Sequence, residues 1–228
     1  MAGRVLIVTG AHGALGRVVV QSARDAGYDV AAVDFAANPA APFDPAVQVV
    51  GGVDLTDPAQ AQSAIAKVVE RFGRVDALFT IAGGFSWETV ADGSVETWEK
   101  LHRLNLMTAL NTSRAALPHL LASGAGRVVN VGANGALQAA AGMGAYAASK
   151  SGVHRLTEAL AAETKGRGVT VNAVLPSIID TPANRADMPG ADFGTWVKPQ
   201  DLAAVMLFLA SPAAGAVTGA LIPVVGAV

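Results

Sequence analysis

An α/β fold, a single doubly wound parallel sheet with helices on both faces, is what this 228-residue sequence predicts. Three observations predict it. Strand-like and helix-like stretches alternate along the chain. The first strand runs directly into a glycine-rich turn that opens a helix. The second strand then ends in an acidic residue, Asp34, eighteen positions beyond the last glycine of that turn. The length suits one such sheet with a large core and leaves no room for a separate substrate domain, so residues 1–228 are expected to form one domain.

The first strand is read from Val5-Leu6-Ile7-Val8-Thr9, a run of apolar or β-branched residues typical of a parallel strand buried on both faces. Gly10, Gly13 and Gly16 follow as GxxGxxG and lead into an apolar helical stretch that ends near Ala26 and Gly27. In such a turn the backbone can approach a pyrophosphate, which then sits on the free N–H groups of the helix N-terminus. His12 lies within the turn, where it can come near a phosphate. Asp29 to Val33 forms the second strand. Asp34 at its end is placed to accept hydrogen bonds from an adenosine ribose diol and to repel a 2′-phosphate, which predicts NAD, with NADH preferred over NADPH.

A Pro/Ala-rich loop from Asn38 to Pro45 leads to a strand at Val47–Val50. The next helix starts after Asp57-Pro58, with proline in its first turn, and runs to about Phe72. Val75–Ile81 reads as a strand, followed by a segment containing Phe85 and Trp87. One long amphipathic helix is expected from about Glu96 to Ala122, with Pro118 bending or breaking it. Arg127–Gly132 reads as a strand, the stretch around Tyr146 as a helix to about Lys165, and Val169–Val174 as a strand.

Tyr146 and Lys150, four residues apart, fall on one face of their helix. An ammonium fixed beside a phenol stabilises the phenolate and draws the phenol's pKa down towards working pH, which makes the tyrosine a usable proton donor or acceptor. The spacing alone is weak evidence. Joined to strand, glycine turn, helix, strand and acid in that order, it is strong.

These motifs resemble the short-chain dehydrogenase/reductase family over nearly the whole chain, and the resemblance implies a Rossmann-like sheet and an NAD(P)H-dependent oxidoreductase. Gly10, His12, Gly13, Ala14, Leu15 and Gly16 match its cofactor turn, with the middle glycine at 13 where the commonest pattern has it at 14. Asp54-Leu55 is similar to the pair that holds the adenine. Ala82-Gly83-Gly84 resembles the family's Asn-Ala-Gly, with Ile81 in place of the asparagine. Asn105 falls where the family has an asparagine supporting a proton relay. Pro176 to Thr181 resembles the segment at the nicotinamide, which implies that Ile179 and Thr181 hold the carboxamide. Lys150 is implied to bind the nicotinamide ribose.

Ala133, thirteen residues before Tyr146, departs from that pattern, because the family normally has a serine there that hydrogen-bonds the substrate carbonyl. The quinonoid dihydropteridine reductase branch also lacks the serine. Asp180 to Arg185 and Met188 to Trp196 resemble its substrate-side loop, as Gly10–Gly16 resembles its cofactor turn and Ala82–Phe85 its segment after the fourth strand. Asn105, in contrast, is a feature of ordinary family members. A ketone relies on the missing hydroxyl as negative charge develops on its oxygen, unless Asn134 or Gln138 substitutes. A quinonoid dihydropterin is more electron-poor and needs less help. Phe85, Trp87 and Trp196 are therefore expected to wall a flat slot for a planar ring, with Ala133, Phe85, Gln138 and Trp196 as the substrate-side residues. Two other readings stand beside this one. The first is an ordinary carbonyl reductase or alcohol dehydrogenase. The second is a non-catalytic dinucleotide sensor, which has no need of Tyr146, Lys150 and Asn105 together.

Composition narrows the partners. Hydrophobic residues make up 52% of the chain and charged residues 15%, so part of the surface is expected to be covered by another subunit. The family resemblance implies a homodimer or homotetramer, with the helix around Asn105–Leu121 and the Tyr146 helix packing across a two-fold axis. A net charge of −2 without a basic run argues against nucleic acid and anionic membranes. The absence of cysteine excludes disulfides and thiolate catalysis. Four histidines without ligand spacing give no metal site. Leu202 to Val228 carries no charge and has the length to span a bilayer, but Ser211-Pro212, Gly215, Gly219 and Pro223 interrupt it. A buried helix and a last strand at a subunit interface are expected there. With no signal peptide before the first strand, the protein is expected to be soluble and cytoplasmic.

Overall fold

A computed structural model describes residues 3–228. Its centre is one seven-stranded parallel sheet in the order β3-β2-β1-β4-β5-β6-β7. The strands are β1 Val5–Thr9, β2 Asp29–Val33, β3 Gln48–Val50, β4 Ala77–Thr80, β5 Gly126–Val131, β6 Val169–Pro176 and β7 Leu221–Val224. All three strands that end at the dinucleotide motifs, β1, β2 and β3, are in register as parallel neighbours, Thr9 opposite Val33 and Val33 opposite Val50. The order reverses between β1 and β4. That switch point is where the turns after the two strands diverge and leave a crevice.

Alternation along each strand sends side chains to two cores. Leu6 and Val8 pack with Leu15, Val19 and Val20 of α1 (Ala14–Asp25) and Leu202 and Met206 of α7 (Pro199–Ala210). Val5 and Ile7 pack on the opposite face with Ile65 and Val68 of α2 (Pro58–Phe72), Ala116 and Leu120 of α4 (Thr108–Ala122) and Leu160 of α5 (Gly144–Glu163). Two-sided burial is why the strands read as continuous apolar runs. Helix ends follow their local chemistry. Asp57 caps α2 through Ala59 N–H, and Gly73 closes it with φ at 75°.

The expected single helix over Glu96–Ala122 is a correction. The chain forms α3 (Val95–Leu101), then a π-helical turn at His102–Met107, then α4. Ser94 caps α3. The wider turn, which no apolar periodicity signals, buries Asn105. Pro118 neither breaks nor ends α4. Pro118 and Arg114, the residue whose carbonyl loses its helical partner, both lie on the exposed face, where water can replace the bond. At the C-terminus, the uncharged stretch becomes α7, a short 3₁₀ turn at Pro212–Ala214 and β7, which pairs with β6. Among the described residues, no helix is long and apolar enough to cross a membrane.

Candidate active site

The crevice begins at the glycine turn. Gly10 has φ at +64°, and a Cβ there would meet Ala82 Cα at 2.8 Å, so a side chain would close the gap between the β1 and β4 turns. Gly16 is tighter still. A Cβ on it would sit 2.1 Å from the carbonyl oxygen of Gly10. Thr9 Oγ accepts from the N–H groups of Ile81 (3.1 Å) and Ala82 (3.2 Å), tying the two turns together. Gly13 is the N-cap of α1 and offers no side chain to its first turn, which leaves the N–H groups of Ala14, Leu15 and Gly16 available to an anion, the first helical bond being Arg17 N–H to Gly13 O.

Asp34 closes this end of the site. Its carboxylate accepts from the backbone N–H of His12 (2.8 Å) and of Ala36 (2.9 Å). Its backbone links to the β3 end through Asp34 N–H to Val50 O and Val53 N–H to Asp34 O. Asp54 caps its own turn by accepting Thr56 N–H at 2.9 Å, and Leu55 is buried beside it. Asn111, which the sequence did not single out, holds that turn by donating to the carbonyls of Leu55 (3.0 Å) and Thr56 (3.1 Å). A lone polar residue inside an amphipathic helix gives no sequence signal of such a role.

Further along the sheet edge lies a cavity of ≈ 890 Å³. Leu15, Gly83, Gly84, Ala133, Tyr146 and Lys150 line it, as do Pro176 and Ile179. Lys150 is buried, and its Nζ donates to Val131 O at 2.8 Å. Asn105 acts as a brace. Its Oδ1 accepts from Gly84 N–H (2.8 Å), while Nδ2 donates to Gly84 O (3.0 Å) and to Ser149 Oγ (2.9 Å). A Cβ on Gly83 would meet Asn105 Oδ1 at 2.5 Å and Lys150 Nζ at 3.4 Å, so this loop is built to lie against the polar pair.

The ionisation of the pair differs from the expectation that Lys150 draws Tyr146 down. Burial pushes the phenol up to about 12 and pushes the Lys150 ammonium down to about 8. The physical reason is desolvation, which disfavours both charged forms. Phe85 contributes to that shielding with its ring edge-on to Tyr146, centroids 5.0 Å apart at 76°. At neutral pH the phenol therefore holds its proton, which is the state a proton donor needs. Since Lys150 loses its charge as pH rises through about 8 while Tyr146 stays protonated, kcat/KM for reduction is expected to fall above that pH. A pH–rate profile flat from pH 7 to 10 would contradict the role of the ammonium.

The walls agree with expectation in part. Phe85 and Trp87 line the cavity and stay 56% and 60% exposed. Trp87 Nε1 donates to Ala141 O at 3.1 Å, and its indole lies against Gly142, where a Cβ would meet Cε2 at 2.1 Å. Gln138 and Trp196 are corrections. Gln138 is exposed and outside the cavity. Trp196 is only 5% exposed and packs on Phe193, centroids 4.8 Å apart, as part of the loop's own small core. That loop is fastened by the bidentate Arg185–Asp180 pair (2.6 and 2.8 Å) and by Arg185 over Phe193. Thr181 caps α6 (Pro182–Asp187), its Oγ accepting Asn184 N–H at 3.2 Å, and it does not line the cavity. Its hydroxyl proton remains available to a carboxamide. The loop instead sends Asn184, Asp187 and Met188 to the cavity, and Asn134 and Met143 join from the β5 side. Of these five, Asn134 is expected from the sequence as a stand-in for the missing serine hydroxyl, whereas Asn184, Asp187, Met188 and Met143 carry no individual signal, because only the fold decides which side chains face inward.

A glycine cradle at a helix N-terminus, an acid at the β2 end, and a half-buried Tyr146 with a buried Lys150 at the far end fit a dinucleotide along the sheet edge. Comparison with known proteins agrees. Residues 4–191 match the short chain dehydrogenase family. The chain is similar to a 3-oxoacyl-[acyl-carrier-protein] reductase of Thermotoga maritima, at 31% identity over 98% of this chain and 97% of that protein. It is also similar to a 2,5-dichloro-2,5-cyclohexadiene-1,4-diol dehydrogenase of Sphingobium indicum, at 30% identity over 99% of this chain and 96% of that one. Carveol dehydrogenase from Mycobacterium avium, solved with NAD, superimposes with a TM-score of 0.86 at 27% identity, covering 99% of this chain and 97% of that chain. The chain belongs to the short-chain dehydrogenases, and it is an NAD(P)-dependent oxidoreductase of that family.

Proposed function

We propose that this protein uses NADH to reduce a flat, conjugated ring substrate, of which a quinonoid dihydropterin is the best-fitting class. One observation carries this reading. Ala133, extended and buried at the end of β5, places a methyl on the cavity wall where a hydroxyl would assist a ketone. A substrate already short of electrons needs less of that help. Two features support it. Phe85 and Trp87 offer aromatic surfaces to a planar ring. Asp187, at the cavity rim, is a carboxylate able to accept from the N–H donors of an amino-pyrimidinone edge.

A bound nicotinamide cofactor would supply the hydride. Tyr146 gives a proton to the reduced substrate from its phenol oxygen. Lys150, whose Nζ donates to Val131 O, would hold the ribose from the same cavity wall, and Asn105 fixes the Gly84 backbone and Ser149 beside it. Leu15, Ile81 and Val131 keep water from the reacting face. A second reading, reduction of a ring ketone or oxidation of a ring alcohol, is favoured by the relatives named for cyclic alcohols and by Asn134, whose amide lines the cavity beside Ala133. Turnover of quinonoid dihydropterin beside a panel of ring ketones separates the two.

The cofactor reading has its own test. With the Asp34 carboxylate at the β2 end, NADH is expected to exceed NADPH in kcat/KM, and Asp34→Ser is expected to narrow the gap by about tenfold or more. Equal use of both cofactors by the native protein would count against it. The protein is further read as a homodimer or homotetramer. Supporting this are the low charge and a shallow groove where half-exposed Trp98 adjoins Ala145 and Ala148 of α5.

A further inference from the structure

His12 bonds to Asp34 through its backbone N–H, but its side chain has no bonded role in the fold described so far. Its side chain is 6% exposed, and among the described residues neither ring nitrogen finds a hydrogen-bond partner. Buried polar atoms are seldom left without partners, and a ligand commonly completes those that are. The ring is placed where the cofactor's adenosine end belongs, with Nδ1 3.9 Å from Asp34 Oδ1. Phe43, from the loop after β2, packs on it at a centroid distance of 5.8 Å. Arg17 of α1 lies over Phe43 at 4.8 Å and is pinned there by donating to Ala41 O at 2.7 Å. Asp34, just past β2, is the charged group facing the imidazole directly, and Arg17 of α1 is the cation stacked on the Phe43 ring that packs against it.

We propose that His12 sets how strictly the site refuses NADPH, and that it does so through its own protonation. This rests on the NADH reading above. A neutral imidazole leaves the full charge of Asp34 facing the 2′ position. A protonated one pairs with that carboxylate, offsets its repulsion of a 2′-phosphate and presents an N–H donor to the phosphate oxygens. Asp34 itself is held in place by two backbone N–H groups, so protonation changes the local charge without moving the acid. Imidazole is the side chain suited to make that change within the pH range of cells. Cofactor choice would then follow pH, stricter where the imidazole is neutral and relaxed where it is protonated.

Dissociation constants for NADH and NADPH, read from cofactor fluorescence without any substrate, test this on the native protein, His12→Gln and His12→Asn between pH 8 and 5.5. A 2′-phosphate sheds charge near pH ~6 on its own, so some relaxation is common to all three proteins. The native ratio of NADPH to NADH dissociation constants is expected to fall about tenfold further than the ratio of either variant. Equal pH dependence in the three proteins would overturn the role of His12. So would loss of NADH binding by both variants at pH 8, which would make the imidazole a part of the site's architecture. Tighter binding of NADPH than NADH by the native protein at pH 8 is a separate result, and it would contradict the NADH reading instead.

Discussion

Tyr146→Phe is expected to lower kcat for reduction by roughly 10²-fold with little change in KM, the low end of the 10²–10⁴ range for a positioned acid. The phenol holds its proton, at about 12, and sits edge-on to Phe85 at the cavity wall. Phenylalanine keeps the ring and its contact with Phe85 but removes the transferable proton. A transition-state interaction is thereby lost without loss of ground-state binding, which is the pattern of reduced kcat at constant KM. The loss stays modest on an activated ring because hydride arrival there develops less charge on oxygen. On a simple ketone the same change should come nearer the upper end. An unchanged kcat on both substrates would remove Tyr146 from the chemistry.

Gly16→Ala is expected to weaken NADH binding by at least about tenfold and to lower Tm by several degrees. A Cβ at this position would lie 2.1 Å from Gly10 O and 2.7 Å from Ala11 Cα, and both are backbone atoms with no rotamer to yield. The glycine turn would have to shift away from α1, and overpacking of this kind costs about 1–3 kcal/mol. The same shift pulls the N–H groups at the helix N-terminus out of line for a pyrophosphate. Cofactor titration together with a thermal melt reads both effects. Native affinity in the variant would mean that the turn does not hold the phosphates.

The skeleton of the fold and the chemistry at both ends of the crevice were legible because they rest on short-range rules. β2 and α2 fall where expected, the first between its flanking turn and Asp34, the second between a capping Asp57 and Gly73. Glycines 10 and 16 declare themselves because only a missing side chain permits their backbone approach. What stayed hidden depends on contacts between distant segments. The π-helical turn at Asn105 breaks no apolar period, so one helix was expected where there are two and a wide turn. Trp196 reads as a wall residue until Phe193 and Arg185 are seen to form a core with it. The downward pull of Lys150 on Tyr146 follows from spacing, but the depth of burial that reverses it does not.

Ala133 is the residue on which the substrate reading turns, and its exchange gives the most direct test. Purified native protein and Ala133→Ser are assayed with NADH against quinonoid dihydropterin and against a ring ketone of similar size. The native protein is expected to reduce the dihydropterin in strong preference. Ala133→Ser should leave that activity equal or lower, by crowding the slot, while raising ketone reduction about tenfold through the donor it restores. Rapid ketone reduction by the native protein with no turnover of dihydropterin would contradict the proposed substrate class and move attention to Asn134 as the carbonyl's partner.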